Sequence, residues 1–129
     1  MSVEWIITDG SKTIPDSEVL DMLNDGVIRV EALDTARPRV IGKSGRPLTP
    51  QWHEGNDSPR LCVYIRSGGI KRTIVLNKLV WMADRRLVVP RGFCVHHRDL
   101  NYENNAASNL VCMDIRGHQF IHEDRKANF

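Results

Sequence analysis

Behind an Ile14-Pro15-Asp16-Ser17 start, apolar residues recur at helical spacing as Val19, Leu20, Met22 and Leu23, and Asn24-Asp25-Gly26 follows. Pro near a first turn and Gly after the last periodic residue are start and stop signals, so a helix is predicted here. A short strand is expected over Val27 to Ala32. The stretch from Arg37 to Asp57 is rich in Gly, Pro and polar residues and reads as short strands or loop, with Ser44-Gly45-Arg46-Pro47 as a turn. Two β-branched runs, Arg60 to Arg66 and Arg72 to Leu76, flank Ser67-Gly68-Gly69-Ile70-Lys71 and predict an antiparallel hairpin. Asn77 to Asp84, with Leu79, Val80 and Met82, predicts a short helix packed on that hairpin. Pro90-Arg91-Gly92 then turns the chain into a strand, Phe93-Cys94-Val95, ending in His96-His97. The loop from Arg98 to Ser108 is dense in Asn and Asp, which bond their own backbone. Asn109 to Met113 reads as a second strand, and Arg116 to about Lys126 as a helix with a basic end. The inferred order is strand, loop, strand, helix, with no internal repeat and no low-complexity tract.

A length of 129 residues suits one compact domain and is short for two. No run of eighteen apolar residues occurs, and Met-Ser-Val-Glu-Trp carries acid where a signal peptide needs positive charge. A cytoplasmic protein with no membrane partner is therefore expected. Cys62, Cys94 and Cys112 are odd in number and form no Cys-x-x-Cys, which fits buried free thiols better than a disulfide framework. The net charge of +2 is unevenly spread: residues 1–34 hold two bases and eight acids, net −6, and the rest of the chain is net +8. The division is thus an acidic N-terminal helical segment, 1–34, and a basic body, 35–129, within one compact domain. A basic body attracts a polyanion, because each neutralised phosphate releases condensed counterions. The acidic segment is expected to stay off the phosphate backbone.

Four of the five histidines lie between positions 96 and 122. His118 and His122, four apart on the predicted helix, share a face and suit one ion; a strand ending in His96 offers a third nitrogen. Three protein ligands with an open position is the catalytic rather than the closed structural pattern. His97, next along the strand, points the other way and is available as a base. A calcium loop beginning at Asp99-x-Asn101-x-Glu103 is rejected, because Asn104 replaces the required Gly and Leu110 the bidentate Glu. A structural zinc bound by Cys94, Cys112, His118 and His122 is a stronger rival.

The run Val95-His96-His97-Arg98-Asp99-Leu100-Asn101-Tyr102-Glu103-Asn104-Asn105, then Asn109-Leu110, then His118 and His122, resembles the HNH nuclease motif, particularly its phage and homing-endonuclease branch. Thr73 to Ala83 is also similar to the segment that precedes the motif there. The resemblance covers residues 60–122; the first half of the chain matches nothing nameable. It implies an α+β fold with a ββα-metal (His-Me finger) HNH motif at 93–126, preceded by a β-hairpin with a short helix and an N-terminal helical segment. It also implies catalytic roles for His97, as general base, and for Asn109, as the central asparagine, with His96, His118 and His122 as metal ligands. Asn77 departs from the branch, which often carries His there.

A phosphodiester resists attack because nucleophile and target are both negative, so a bound cation must offset charge on the scissile phosphate. Zn, Ni, Co and Mn suit three imidazoles better than Mg, which prefers oxygen. Neutral imidazole then takes a proton from water, a step worth roughly 10²- to 10⁴-fold. Asn109, both donor and acceptor, is suited to tying the loop to the strand. Lys71, Arg72, Lys78, Arg85, Arg86, Arg91, Arg98, Arg116, Arg125 and Lys126 are candidate phosphate contacts. Trp81, beside Leu79 and Val80, reads as core, whereas Trp5 and Trp52 are candidates for stacking on bases. The expected function is an HNH endonuclease on double-stranded DNA, with homing, nicking and restriction types, a phage origin and a homodimer all left open. The alternatives are a non-catalytic DNA-binding module with a structural zinc, and a nonspecific toxin-like nuclease.

Overall fold

The computed structural model describes residues 13–54, 59–67 and 69–115. The expected C-terminal helix, with Arg116, His118, His122, Arg125 and Lys126, lies outside the described residues, as does Trp5. Within them the fold is α+β: helices α1 (Asp16–Asn24) and α2 (Leu76–Arg85) accompany three antiparallel sheets.

Helix α1 starts after Pro15 with Asp16 and Glu18 in its first turn, where carboxylates favour the helix dipole. It buries Val19 and Leu23, one turn apart, and stops where Gly26 takes φ +77 and donates its N–H to the Leu23 carbonyl. Strand β1 (Arg29–Glu31) pairs with β2 (Arg39–Ile41), and β2 turns at Gly45 into β3 (Pro47–Leu48). The second sheet holds β4 (Gln51–Glu54), β5 (Pro59–Ser67) and β6 (Ile70–Val75) in that order. Ser67 stands opposite Ile70, so the hairpin is tighter than the five-residue link its Gly content suggests. The β-branched residues extend the ladder to the turn itself.

Helix α2 buries six of its ten residues, and Asn77, Lys78, Asp84 and Arg85 form its polar side. Leu76, Leu79, Val80, Trp81, Met82 and Ala83 are all buried, which makes it the central element rather than a cover on the hairpin. Around it lie α1, β1, β5, β6 and the ribbon of β7 (Phe93–His97) with β8 (Leu110–Asp114). One core runs through all of these, from Ile14, Val19, Leu23 and Ile28 through Val63 and Ile74 to Val95 and Leu110. The described part of the acidic stretch therefore contributes to the core. Ile14 donates its N–H to the Thr73 carbonyl at 2.9 Å, and Glu18 meets the buried Arg72 at 3.2 Å.

Candidate active site

Strand β7 and strand β8 pair in register, His96 opposite Val111 and His97 opposite Leu110. Because side chains alternate along a strand and opposite partners share a face, the two imidazoles leave on opposite faces. His97 shares its face with the core residues Val95 and Leu110; His96 shares the other with Cys94 and Met113. Both are nearly fully buried, at 5% and 7% exposure for His96 and His97. Asn77, at the start of α2, donates through Nδ2 to the Val95 carbonyl at 2.9 Å and so ties the helix to β7 one residue before His96.

The loop after His97 is held by its own side chains. Asn109 closes a 3-10 turn (Ala107–Asn109), and its Nδ2 donates to Asp99 Oδ1 at 2.9 Å and to the Asn104 carbonyl at 2.8 Å. Its Oδ1 accepts from the Asp99 N–H at 3.3 Å, and its carbonyl accepts from the Arg98 N–H at 2.7 Å. Three of these bonds join the two ends of the loop, and the fourth pins its middle at Asn104. Leu100 is held at φ +61, a conformation costing an L-residue roughly 1–2 kcal/mol, where its N–H donates back to the His97 carbonyl. The segment Leu33–Ala36 docks on the same loop: Ala107 N donates to the Leu33 carbonyl, Asn105 N to that of Ala36, and Ser108 N to the Asp34 side chain at Oδ1.

Asp99 also accepts from Asn104 Nδ2 and the Asn101 N–H. These hydrogen bonds, that of Asn104 foremost, followed by Asn101 and Asn109, hold its carboxyl below the usual carboxylate range. A depressed folded-state value means the stabilisation is complete above the unfolded value of about 3.9 and is lost as pH falls through the folded one. The protection factor of the Asn101 amide, which donates to Asp99, is therefore expected to fall below about pH 4. In Asp99→Asn the exchange should be fast already at neutral pH; protection independent of both pH and substitution would refute this.

A cavity of about 160 Å³ opens beside β7, walled by Arg60, Leu61, Val75, Asn77, Lys78, Cys94 to His97, Tyr102 and Asn105. Two cations, Arg60 and Lys78, thus line the same cavity as both histidines, with Lys78 also 3.4 Å from Asp16. Of the other candidate phosphate contacts, Arg98 is exposed directly after His97, and Lys71 is exposed over the Tyr64 ring at 4.7 Å. Arg85 and Arg86 end α2 at the far side, roughly 12 Å along the axis from Asn77. Arg91 precedes β7, also away from the histidine end. Arg72 is 7% exposed with its guanidinium 3.2 Å from Glu18, a placement that ties α1 to β6.

Among the described residues no three His, Cys, Asp or Glu side chains converge as a metal group. His96 brings to the cavity wall the one donor of the expected set that is described, an imidazole suited to a divalent transition metal. Cys94 and Cys112 are free, and the register, Cys94 opposite Met113 and Cys112 opposite Val95, puts them on opposite faces of the ribbon. Burial pushes both thiols up. Two thiols on opposite faces of the ribbon do not make half of a structural zinc site.

No protein-family model matches the chain, and no curated protein does. Among solved structures it is similar to the HNH homing endonuclease I-HmuI, described for DNA binding and cleavage, with 22% identity and a TM-score of 0.56. The fold is HNH-like. The match covers 76% of this chain and 53% of that one, so the chain spans about half the length of the protein it matches. Because 76% exceeds the motif alone, the HNH-like fold takes in much of the first half, where sequence shows no resemblance. Within it the cavity wall includes Arg60, Tyr102 and Asn105, which the sequence reading does not single out. The second Asn of the Asn104-Asn105 pair carries a signal in hindsight, an amide in a loop after a histidine pair. Arg60 carries none beyond its charge.

Proposed function

We propose that this chain is a metal-dependent HNH endonuclease that hydrolyses phosphodiester bonds in double-stranded DNA. The observation that carries the reading is the shared cavity, lined by His96, His97, Arg60 and Lys78, on an HNH-like fold. His97 acts as general base, taking a proton from the attacking water. Arg60 and Lys78 bind and orient the phosphate, and Asn109 keeps the loop closed so that the imidazole stays in place. His96, with His118 and His122, holds a divalent ion, which when bound offsets negative charge on the scissile phosphate. Incubating the protein with supercoiled plasmid and a panel of Zn, Ni, Co, Mn and Mg is expected to give nicked or linear product with at least one metal. Folded protein that leaves the plasmid supercoiled with every metal would sink the reading.

The cations separate cleanly in their expected behaviour. Each phosphate contact adds about 0.9 to the slope of log affinity against log salt on duplex DNA. Arg60→Ala is therefore expected to reduce the slope by about one, measured without metal, whereas Arg72→Met lowers thermal stability and leaves the slope alone. An unchanged slope in Arg60→Ala removes that residue from the interface; a reduced one in Arg72→Met reverses the assignment made above.

A further inference from the structure

His97 sits in a polar environment more specific than burial requires. Its Nε2 lies 2.9 Å from Asn105 Oδ1, and its ring meets Tyr102 edge-on at 5.5 Å between centroids. Asn105 is 1% exposed, and its backbone N–H is committed to the Ala36 carbonyl. The other end of its amide, Nδ2, donates to the Tyr102 carbonyl at 3.2 Å. A carbonyl only accepts, so the NH₂ end must face Tyr102 and the oxygen must face His97. That oxygen also only accepts. A neutral imidazole carries one proton, and here the only nitrogen that satisfies Asn105 is a protonated Nε2.

We propose that Asn105 is a positioning residue that fixes neutral His97 in its Nε2–H form, leaving Nδ1 as the nitrogen that accepts a proton. The assignment of a base to Nδ1 rests on the endonuclease reading above; the tautomer itself does not. In the other tautomer two acceptors, Nε2 and Oδ1, would stand 2.9 Å apart inside the protein, leaving both unsatisfied. The base lone pair would then point into the Asn105 amide. Tyr102 serves twice, orienting the amide through its carbonyl and the ring through its edge.

The test is the imidazole ¹⁵N spectrum of the full-length labelled protein, taken on the alkaline side of histidine titration and assigned by the signals missing from His97→Ala. A protonated Nε2 and an unprotonated Nδ1 are expected at His97. Asn105→Asp keeps an acceptor oxygen and should keep that pattern. Asn105→Leu keeps the volume, deletes the acceptor and should give the Nδ1–H form or a mixture. In cleavage assays Asn105→Leu should lose about tenfold or more in kcat, up to the roughly 10²- to 10⁴-fold of losing the base, with KM and DNA affinity near wild type. A wild-type protein with protonated Nδ1, or a folded Asn105→Leu with the wild-type pattern, overturns the proposal. If Asn105→Leu fails to fold, the wild-type and Asn105→Asp spectra still decide it. An Nε2–H spectrum in a protein that cuts no DNA upholds the tautomer and overturns the endonuclease reading, so the two failures are distinct.

Discussion

His97→Ala is expected to lose strand cleavage by at least roughly 10²- to 10⁴-fold while keeping its metal and its DNA affinity. The register supports a difference in kind between the neighbours, since His97 shares its face with Leu110 and His96 with Val111 on the other. On the proposed roles, removing His97 would remove a proton acceptor and leave the phosphate contacts proposed for Arg60 and Lys78. Removing His96 is expected to cost the metal first, and cleavage with it. His97→Ala also strands Asn105 Oδ1, at a cost of about 1–3 kcal/mol, so its melting temperature must be reported beside its rate. Metal content, DNA affinity at a stated salt and cleavage rate, measured for both variants, decide the matter. Wild-type cutting by His97→Ala, or metal lost from His97→Ala and retained by His96→Ala, would reverse the roles.

Deleting residues 1–34 is expected to abolish folding. The expectation from charge, that this segment stays away from DNA, has its natural test in a truncation whose affinity is unchanged or higher. That experiment presumes a remainder that folds. Ile14, Val19, Leu23 and Ile28 are each at most 4% exposed and belong to the one core. At roughly 1.5–3 kcal/mol per buried side chain, their loss removes about 6–12 kcal/mol, comparable to the whole stability of a domain of this size. Circular dichroism and a denaturant titration would show it; a cooperative unfolding transition in the truncated chain would refute it. Charge reversal of exposed acids such as Asp21 and Asp25 tests the electrostatic expectation without removing the core.

The elements with strong local signals are legible in the sequence: α1 from its apolar spacing and its Gly26 stop, the β5–β6 hairpin from β-branched runs, and β7, loop and β8 from their alternation. The structure ends β7 at His97, where the sequence places its end, and shifts β8 by one residue to Leu110–Asp114, at ends where propensity is weakest. The central place of α2 is not legible, because a buried helix and a covering one differ only in how much of their circumference is apolar, and ten residues sample that poorly. Nor is the burial of Arg72, whose partner Glu18 is 54 positions away. Asn109 shows the opposite case. An asparagine between a polar loop and a strand is read locally as a tie, and its bonds to Asp99, Asn104 and Arg98 all lie within eleven residues. Cavity walls such as Arg60 are assembled from distant strands and leave no local trace.

The bonds from Leu33, Asp34 and Ala36 to the loop between β7 and β8 reach across as many as 74 positions of chain. A peptide excised as residues 93–115 would keep its Asx turns and Asn109, yet it would offer the backbone N–H groups of Asn105, Ala107 and Ser108 to water. Strand, loop and strand are therefore not a portable cassette. Any transplant of this unit onto another scaffold, by recombination or by design, must bring the Leu33–Ala36 segment with it or supply three acceptors in its place, or the amide beside His97 loses its backbone anchor.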